Sequence, residues 1–484
     1  MSVDLAKLRK ENPKLYQTVA DSQYEVMKSL NGRIGQVKIG GKVRFIDKND
    51  RDTHFYTKED MALILGHWTV LNWSGEEMPA FRWWLVQEDR QQYSEVTFQP
   101  DPAKASPDAL NLFHGFAVKP SAGGSCALFR EHVEQNVCGG DVELAEFVWD
   151  WAADLVQRPG QKCGVALMLR GDKGTGKSVF SNVLAHLVGE RYAPIIDSAE
   201  GFTGRFSGHL EHALLLVVEE AYHAGNPAHE ARLKSLVTGG RIAVERKHID
   251  TYTAESFFRI ILTSNADHVL PASAGERRFV CLDVKPTRKQ DGAFFRAMLA
   301  ELEAGGYGAL MADLMAREIA DRDFSKPPMT AALSDQIRLS LKPDESWWAS
   351  LLATGAVSFS HPPEGVDGEL EWPLDDVFTV ERAHLLASFR QSMPNFRGPA
   401  TPEALGRFLG VVCPNVGFVK ASLGYGRRAN CYRLPPRREA LATFLSIRPG
   451  LRLDAEASEI EPEGGGEAGR PTPKVIALGA RRRA

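Results

Sequence analysis

The sequence predicts an α/β protein organised around a parallel sheet, and three observations lead there. Between Gly164 and Val284 short apolar runs alternate with helical stretches, the pattern of buried strands joined by crossover helices. Within that region a glycine-rich loop joins one apolar run directly to the helix after it. The composition, 43% hydrophobic and 25% charged over 484 residues, supplies large cores and sets a prior of roughly three domains.

Before the α/β region, Ile34 to Ile39 and Lys42 to Ile46 are strand-like, and the intervening Gly40-Gly41 marks a hairpin. Trp68, Trp73, Trp83 and Trp84 with Arg82 suit either buried packing or a platform on which single-stranded bases stack. The acidic cluster Asp47 to Asp52 reads as a turn. From Cys126 to Val156 the apolar spacing is helical.

The formal net charge is −4 and the pI about 6.4, so the surface is not basic throughout and any nucleic-acid contact must be local. Six cysteines without a C-x-x-C pair indicate neither a zinc ribbon nor a disulfide framework and suit a reducing compartment. The N-terminus has no apolar signal region, and no apolar run could span a bilayer. A cytoplasmic location without membrane partners is expected.

The chemistry concentrates at three strand ends. Gly171-Asp172-Lys173-Gly174-Thr175-Gly176-Lys177-Ser178 matches the whole P-loop pattern, after the apolar Val165 to Leu169 and before the helical Val179 to Leu187. Its glycines allow a tight turn that faces backbone N–H groups and a helix N-terminus toward phosphate oxygens. Lys177 would reach the β- and γ-phosphates of ATP, and Ser178 would ligate Mg²⁺. The next apolar run, Ala213 to Val218, ends in Glu219-Glu220. Glu219 is assigned mainly to the metal and Glu220 to the attacking water, against the alternative of a solvated acidic strand end. The run Phe258 to Ser264 ends in Asn265, whose amide would bond the γ-phosphate and the water unless it merely forms a turn.

Between the second and third strand ends the sequence becomes specific. A helix from His229 to Val237 stops at Gly239-Gly240, and Arg241 to Asp250 then alternates like one arm of a hairpin with Arg246, Lys247 and His248 near its tip. The order of these motifs resembles superfamily 3 helicases, AAA+ proteins of viral, phage and plasmid replication, and most of all the helicase part of phage and plasmid primase-helicases. The likeness covers roughly residues 95–290 strongly and includes Leu110 to Ala117 and Asp141 to Trp151. It implies an AAA+ P-loop ATPase core with a five-stranded sheet in the order 5-1-4-3-2, acting as a homo-hexameric ring on single-stranded or forked DNA. Lys247 and His248 would grip DNA beside Arg246. Arg278, with Arg277 as fallback, would be an arginine finger, and translocation would run 3′ to 5′. About 90 residues precede the likeness, too few for a typical primase domain. No primase activity is therefore expected, and a separate primase or polymerase is the expected partner.

The expected organisation is a mixed α+β N-terminal domain (1–120), a helical collar (121–160), the ATPase domain (161–325), a mainly helical C-terminal domain (326–453) and a disordered tail (454–484) ending in Arg481 to Arg483. In the C-terminal part, Pro402 to Val411 is helix-like, and Lys420, Arg427, Arg428, Arg433, Arg437 and Arg438 follow, interleaved with Tyr425 and Tyr432. A winged-helix DNA-binding module and a solvated basic face both fit. Two rival functions are an ATP-dependent protein remodeller and a non-helicase DNA platform for origin binding or defence. The intact loop and acidic pair argue against a degenerate ATPase, and the basic hairpin against a protein-threading pore.

Overall fold

The computed structural model describes residues 5–39, 41–50, 53–198, 201, 207–220, 227–246, 249–269, 272–273, 275–359, 361, 368–392, 401–422 and 428–453. Lys247, His248, Tyr425, Arg427 and the stretch 454–484 lie outside them.

At the centre is a parallel sheet of five strands: β1 (Ala166–Arg170), β2 (Ile195–Ile196), β3 (Leu215–Glu219), β4 (Arg259–Ser264) and β5 (Phe279–Asp283). Their spatial order is β5-β1-β4-β3-β2, with all neighbours parallel. Most side chains of β1 and β3–β5 are apolar because both faces of the sheet are covered. The two-residue pleat divides each strand between two cores. Leu167, Leu169, Val217, Ile261, Val280 and Leu282 enter one of them. There they meet Phe180, Val183, Leu184 and Leu187 of helix Lys177–Val188, and Phe147, Val148 and Trp151 of helix Val142–Gln157. Ala166, Met168, Leu216, Val218, Ile260, Leu262, Phe279 and Cys281 face the other core. That core continues through Leu233 and Leu236 of helix Pro227–Thr238 into Leu333, Trp347 and Trp348 of the C-terminal region.

A buried ion pair ties the collar helix to the sheet. Arg259, at the start of β4, donates Nε to Asp154 Oδ2 at 3.0 Å and Nη2 to the Asp154 and Arg158 carbonyls at 2.7 and 3.0 Å.

The N-terminal part has its own small core of Leu30, Phe45, Met61, Phe81 and Trp84. Strands Ile34–Ile39 and Lys42–Asp47 form the expected antiparallel hairpin, and Gly41 takes φ +76° in the turn. The tryptophans pack. Trp83 and Trp84 are buried, and Trp84 Nε1 donates to Asn31 Oδ1 at 2.8 Å. Trp73 is half-buried and stacks on Tyr16 at a ring-centroid distance of 5.4 Å.

The C-terminal region carries more strand than its helical periodicity suggests. A three-stranded sheet of Phe378–Glu381, Gly417–Ser422 and Arg428–Leu434 packs with helices Arg382–Ser392 and Pro402–Val412. Lys420, Arg428 and Arg433 are exposed on it, and Arg438 is exposed on the helix Arg437–Ile447 that follows. Arg437 departs from the expected basic surface: it is buried, with Nη1 near the Ala353 carbonyl at 3.4 Å. Tyr432 is also buried, beneath the exposed Phe418.

All six cysteines are free thiols, five of them buried. Burial pushes Cys138 and Cys413 up to about 12, which keeps them as inert packing groups. Among the described residues, no helix is long and apolar enough to cross a membrane.

Candidate functional site

The glycine-rich loop begins where β1 stops. β1 is flanked by β4 and β5, so the loop emerges between two neighbouring strand ends, the place where open α/β sheets present ligand sites. Gly171 takes φ +154°, Gly174 +80° and Gly176 +94°, backbone conformations that side-chain-bearing residues rarely hold. Gly176 caps helix Lys177–Val188 without a side-chain bond, which leaves the helix's first N–H groups to the space in front of it.

That space is a cavity of about 350 Å³ lined by Lys173, Gly174, Gly176, Lys177, Ser178, Val179, Glu219, Glu220 and Thr263. The structure thus brings the loop, the lysine, the serine and both acidic residues together. Glu219 is the last residue of β3, and Glu220 follows it at φ +49° with its N–H donated to the Thr263 carbonyl at 2.9 Å. Among the described residues the only non-glycine positions with positive φ are Glu220 and Gln290, and both abut the glycine loop. Strained backbone of this kind persists where the surroundings impose it, and it clusters at working sites.

Lys177 is less open than the sequence suggests. Only 7% of it is exposed, and its Nζ donates to the Gly171 and Asp172 carbonyls at 2.6 and 2.7 Å. Burial lowers its pKa while the Glu220 carboxylate pulls the other way. Asp172 at the loop's outer edge is held below the usual carboxylate range by its hydrogen bond from Lys289.

Asn265 is exposed one residue beyond β4, beside Gly171, whose N–H donates to the Ser264 carbonyl at 3.2 Å. The cavity wall itself holds Thr263 two residues earlier, which sequence reasoning missed. Behind Asn265, Gln336 accepts from the Val269 N–H at 2.8 Å and donates to the Asp267 carbonyl at 2.6 Å. Ser340 Oγ contacts His268 Nε2 at 3.0 Å and accepts from the Ala272 N–H at 3.1 Å.

The hairpin is present between β3 and β4. Arg241–Arg246 pairs antiparallel with Ile249–Glu255, and Arg246 lies opposite Ile249. Ile242 and Val244 anchor it in the core. Lys247 and His248 fall between the two paired residues in sequence, outside the described residues.

Arg277 and Arg278 stand at the other end of the sheet. The Arg278 carbonyl accepts from Ala166 at the start of β1, whereas the loop follows Arg170 at its end. At about 3.3 Å per residue, that puts the pair more than about 10 Å from its own loop. Arg278 Nη1 meets Glu276 Oε1 at 3.2 Å; this carboxylate is buried and also draws Lys234 Nζ to 3.8 Å. Arg277 is exposed.

Fold and site together define a class: an α/β domain with a five-stranded parallel sheet, a glycine-rich loop after its second strand in spatial order, and an acidic strand end facing that loop. Residues 169–278, which span the loop, the acidic pair, the hairpin and Arg278, match the model of a family of unknown function (DUF5906). No curated protein matches the sequence. Among solved structures, the chain is similar to the apo structure of the NrS-1 C terminal region (305-718), with a TM-score of 0.59 and 15% identity over 85% of this chain and 99% of that one. The A form apo structure of the same region gives a TM-score of 0.58 at 15% identity, over 86% of this chain and 100% of that one. At that identity the likeness is one of fold.

Proposed function

We propose that this chain is an ATP-hydrolysing motor that moves along DNA in the replication of a phage, plasmid or other mobile element, a superfamily 3 helicase of the AAA+ class. The observation that carries the reading is the single cavity in which the glycine loop, Lys177, Ser178, Glu219 and Glu220 meet. The strand order β5-β1-β4-β3-β2 and the hairpin inserted between β3 and β4 support it.

The residues fit ATP with Mg²⁺. The Ser178 hydroxyl and Glu219 carboxylate are hard oxygen donors on the cavity wall. Among the described residues no group of three or more His, Cys, Asp or Glu forms an all-protein cage. Bound at the cavity wall, Mg²⁺ would neutralise charge on the β- and γ-phosphates. Lys177 would leave its two backbone carbonyls for phosphate oxygens, and Glu220 would orient and polarise water for attack on the γ-phosphorus. In a ring, Arg278 of one subunit would face the loop of the next, since it cannot reach its own. Arg246, Lys247 and His248 would hold the DNA backbone, a contact that reads no sequence.

The test is ATP hydrolysis by the full chain with and without single-stranded DNA. Stimulation by DNA is expected, and Lys247→Ala with His248→Ala should abolish it. The double variant should also flatten the log–log dependence of DNA affinity on salt, because fewer counterions are released. An ATPase indifferent to DNA, in a chain that binds none, would overturn the motor reading.

A further inference from the structure

Three successive carbonyls of the glycine loop each meet a donor from a distant segment. The Gly174 carbonyl accepts the Gln290 N–H at 2.9 Å. Asn136 Nδ2 donates to the Thr175 carbonyl at 3.2 Å, and His132 Nε2 lies 3.2 Å from the Gly176 carbonyl. His132 and Asn136 sit four positions apart on the π-helical segment His132–Val137, and each is only 1% exposed. Such widened turns are uncommon and often mark functional positions.

A carbonyl can only accept, so the His132 contact is a hydrogen bond in the tautomer that carries its proton on Nε2. Its Nδ1 is buried and has no bonding partner among the described residues. Asn136 is held from both sides: its Oδ1 accepts the Thr287 hydroxyl, and its backbone carbonyl accepts the Lys285 N–H at 2.9 Å. The fit is close. A Cβ on Gly176 would come within 2.5 Å of His132 Cε1 and 2.8 Å of the Phe295 ring.

A trans peptide unit points its C=O and the following N–H in opposite directions. Pinning the Thr175 carbonyl therefore aims the Gly176 N–H the other way, and the Gly176 carbonyl, held by His132 together with the Val179 and Phe180 N–H groups at 3.1 and 3.3 Å, aims the Lys177 N–H. We infer that His132 and Asn136 are positioning residues of the nucleotide site, holding the loop's carbonyls back so that its N–H groups face phosphate. This rests on the nucleotide-binding reading above. The loop is then preorganised by the collar and not by its glycines alone, and the phosphate does not have to turn the peptide units itself.

The experiment measures the affinity and stoichiometry of the full chain for a fluorescent methylanthraniloyl-ATP with Mg²⁺, alongside thermal melting. His132→Leu keeps bulk without a donor, His132→Gln keeps an N–H donor, and Asn136→Ala removes the second bond. His132→Leu and Asn136→Ala should each bind about tenfold more weakly at unchanged stoichiometry, and His132→Gln should return to within about threefold of the parent. Raised KM for ATP with turnover recovered at saturation should accompany the loss. If the parent binds no nucleotide, the nucleotide reading fails and the positioning role with it. Should the parent bind and the variants match its affinity, the positioning role alone is overturned. It is equally overturned if the leucine variant only lowers the binding-competent fraction at parental affinity, since that is packing. Should that variant not fold, Asn136→Ala decides by the same criteria.

Discussion

Arg170 grips Asp283 through two parallel bonds, Nε to Oδ1 at 2.6 Å and Nη2 to Oδ2 at 2.8 Å, joining the last residue of β1 to the last residue of β5 immediately before the glycine loop. The same guanidinium reaches the Asp267 carbonyl at 3.2 Å and Asp335 at 3.3 Å. The hydrogen bonds it donates to Asp283 raise the Arg170 pKa further, so it stays charged at any accessible pH. The pair therefore sets where the loop leaves the sheet.

Asp283→Ala should destabilise the fold by about 1–2 kcal/mol, a charge-assisted bond discounted because Asp283 is 39% exposed. Asp283→Asn should lose less, because one amide oxygen still accepts. Urea denaturation would measure both, and equal losses would show that the geometry of the pair is immaterial.

Lys177→Ala should abolish ATP hydrolysis. It should also cost about 1 kcal/mol of stability without nucleotide, since Nζ caps the Gly171 and Asp172 carbonyls. Hydrolysis assays and thermal melts of the same preparation check both parts. Hydrolysis near the parental rate would remove Lys177 from the site.

Arg278→Ala should abolish hydrolysis while nucleotide binding persists, because its place at the far end of β1 gives it no access to its own loop. Subunits carrying Arg278→Ala mixed with subunits carrying Lys177→Ala should partly recover activity, since some interfaces then pair an intact loop with an intact arginine. Such a finger is worth roughly 10³–10⁵ in rate. A confirmed mixed ring with no recovery would confine Arg278 to its bond with Glu276.

Burial lowers the pKa of His132 below its ordinary 6.5, and the nearby Arg288 adds to the effect against the Gly176 bond. The unfolded chain thus takes up a proton that the folded one refuses. Stability from this site is complete above about pH 6.5 and declines as pH falls toward the folded value. His132→Gln should flatten that part of the stability profile relative to the parent. A profile unchanged by the substitution would mean that His132 titrates alike in both states.

Much of the centre was legible because its signals are local. The glycine spacing, the apolar runs before Glu219 and Asn265, and the alternation of Ile242 and Val244 each lie within a few residues. What escaped depends on distance along the chain. His132 and Asn136 touch the loop across 44 and 39 positions, and nothing in their own neighbourhood announces it. Strand β2 is only two residues long, too short to carry a period. Arg437 looked like surface charge because its burial depends on Ala353 and Gly355, far away in sequence. Trp84 required Asn31 to settle it.

The loop that follows β4 is stitched to helix Ala331–Leu339 and its C-cap by both ends of the Gln336 amide and by the Ser340 hydroxyl. These bonds run to the backbone atoms of Asp267, Val269 and Ala272, so these residues cannot shift against that helix without breaking several of them at once. The helix is rooted in turn by Leu333 and Ile337, which pack in one core with Trp348. The segment that follows Asn265 and the C-terminal core are therefore tied to one and the same helix.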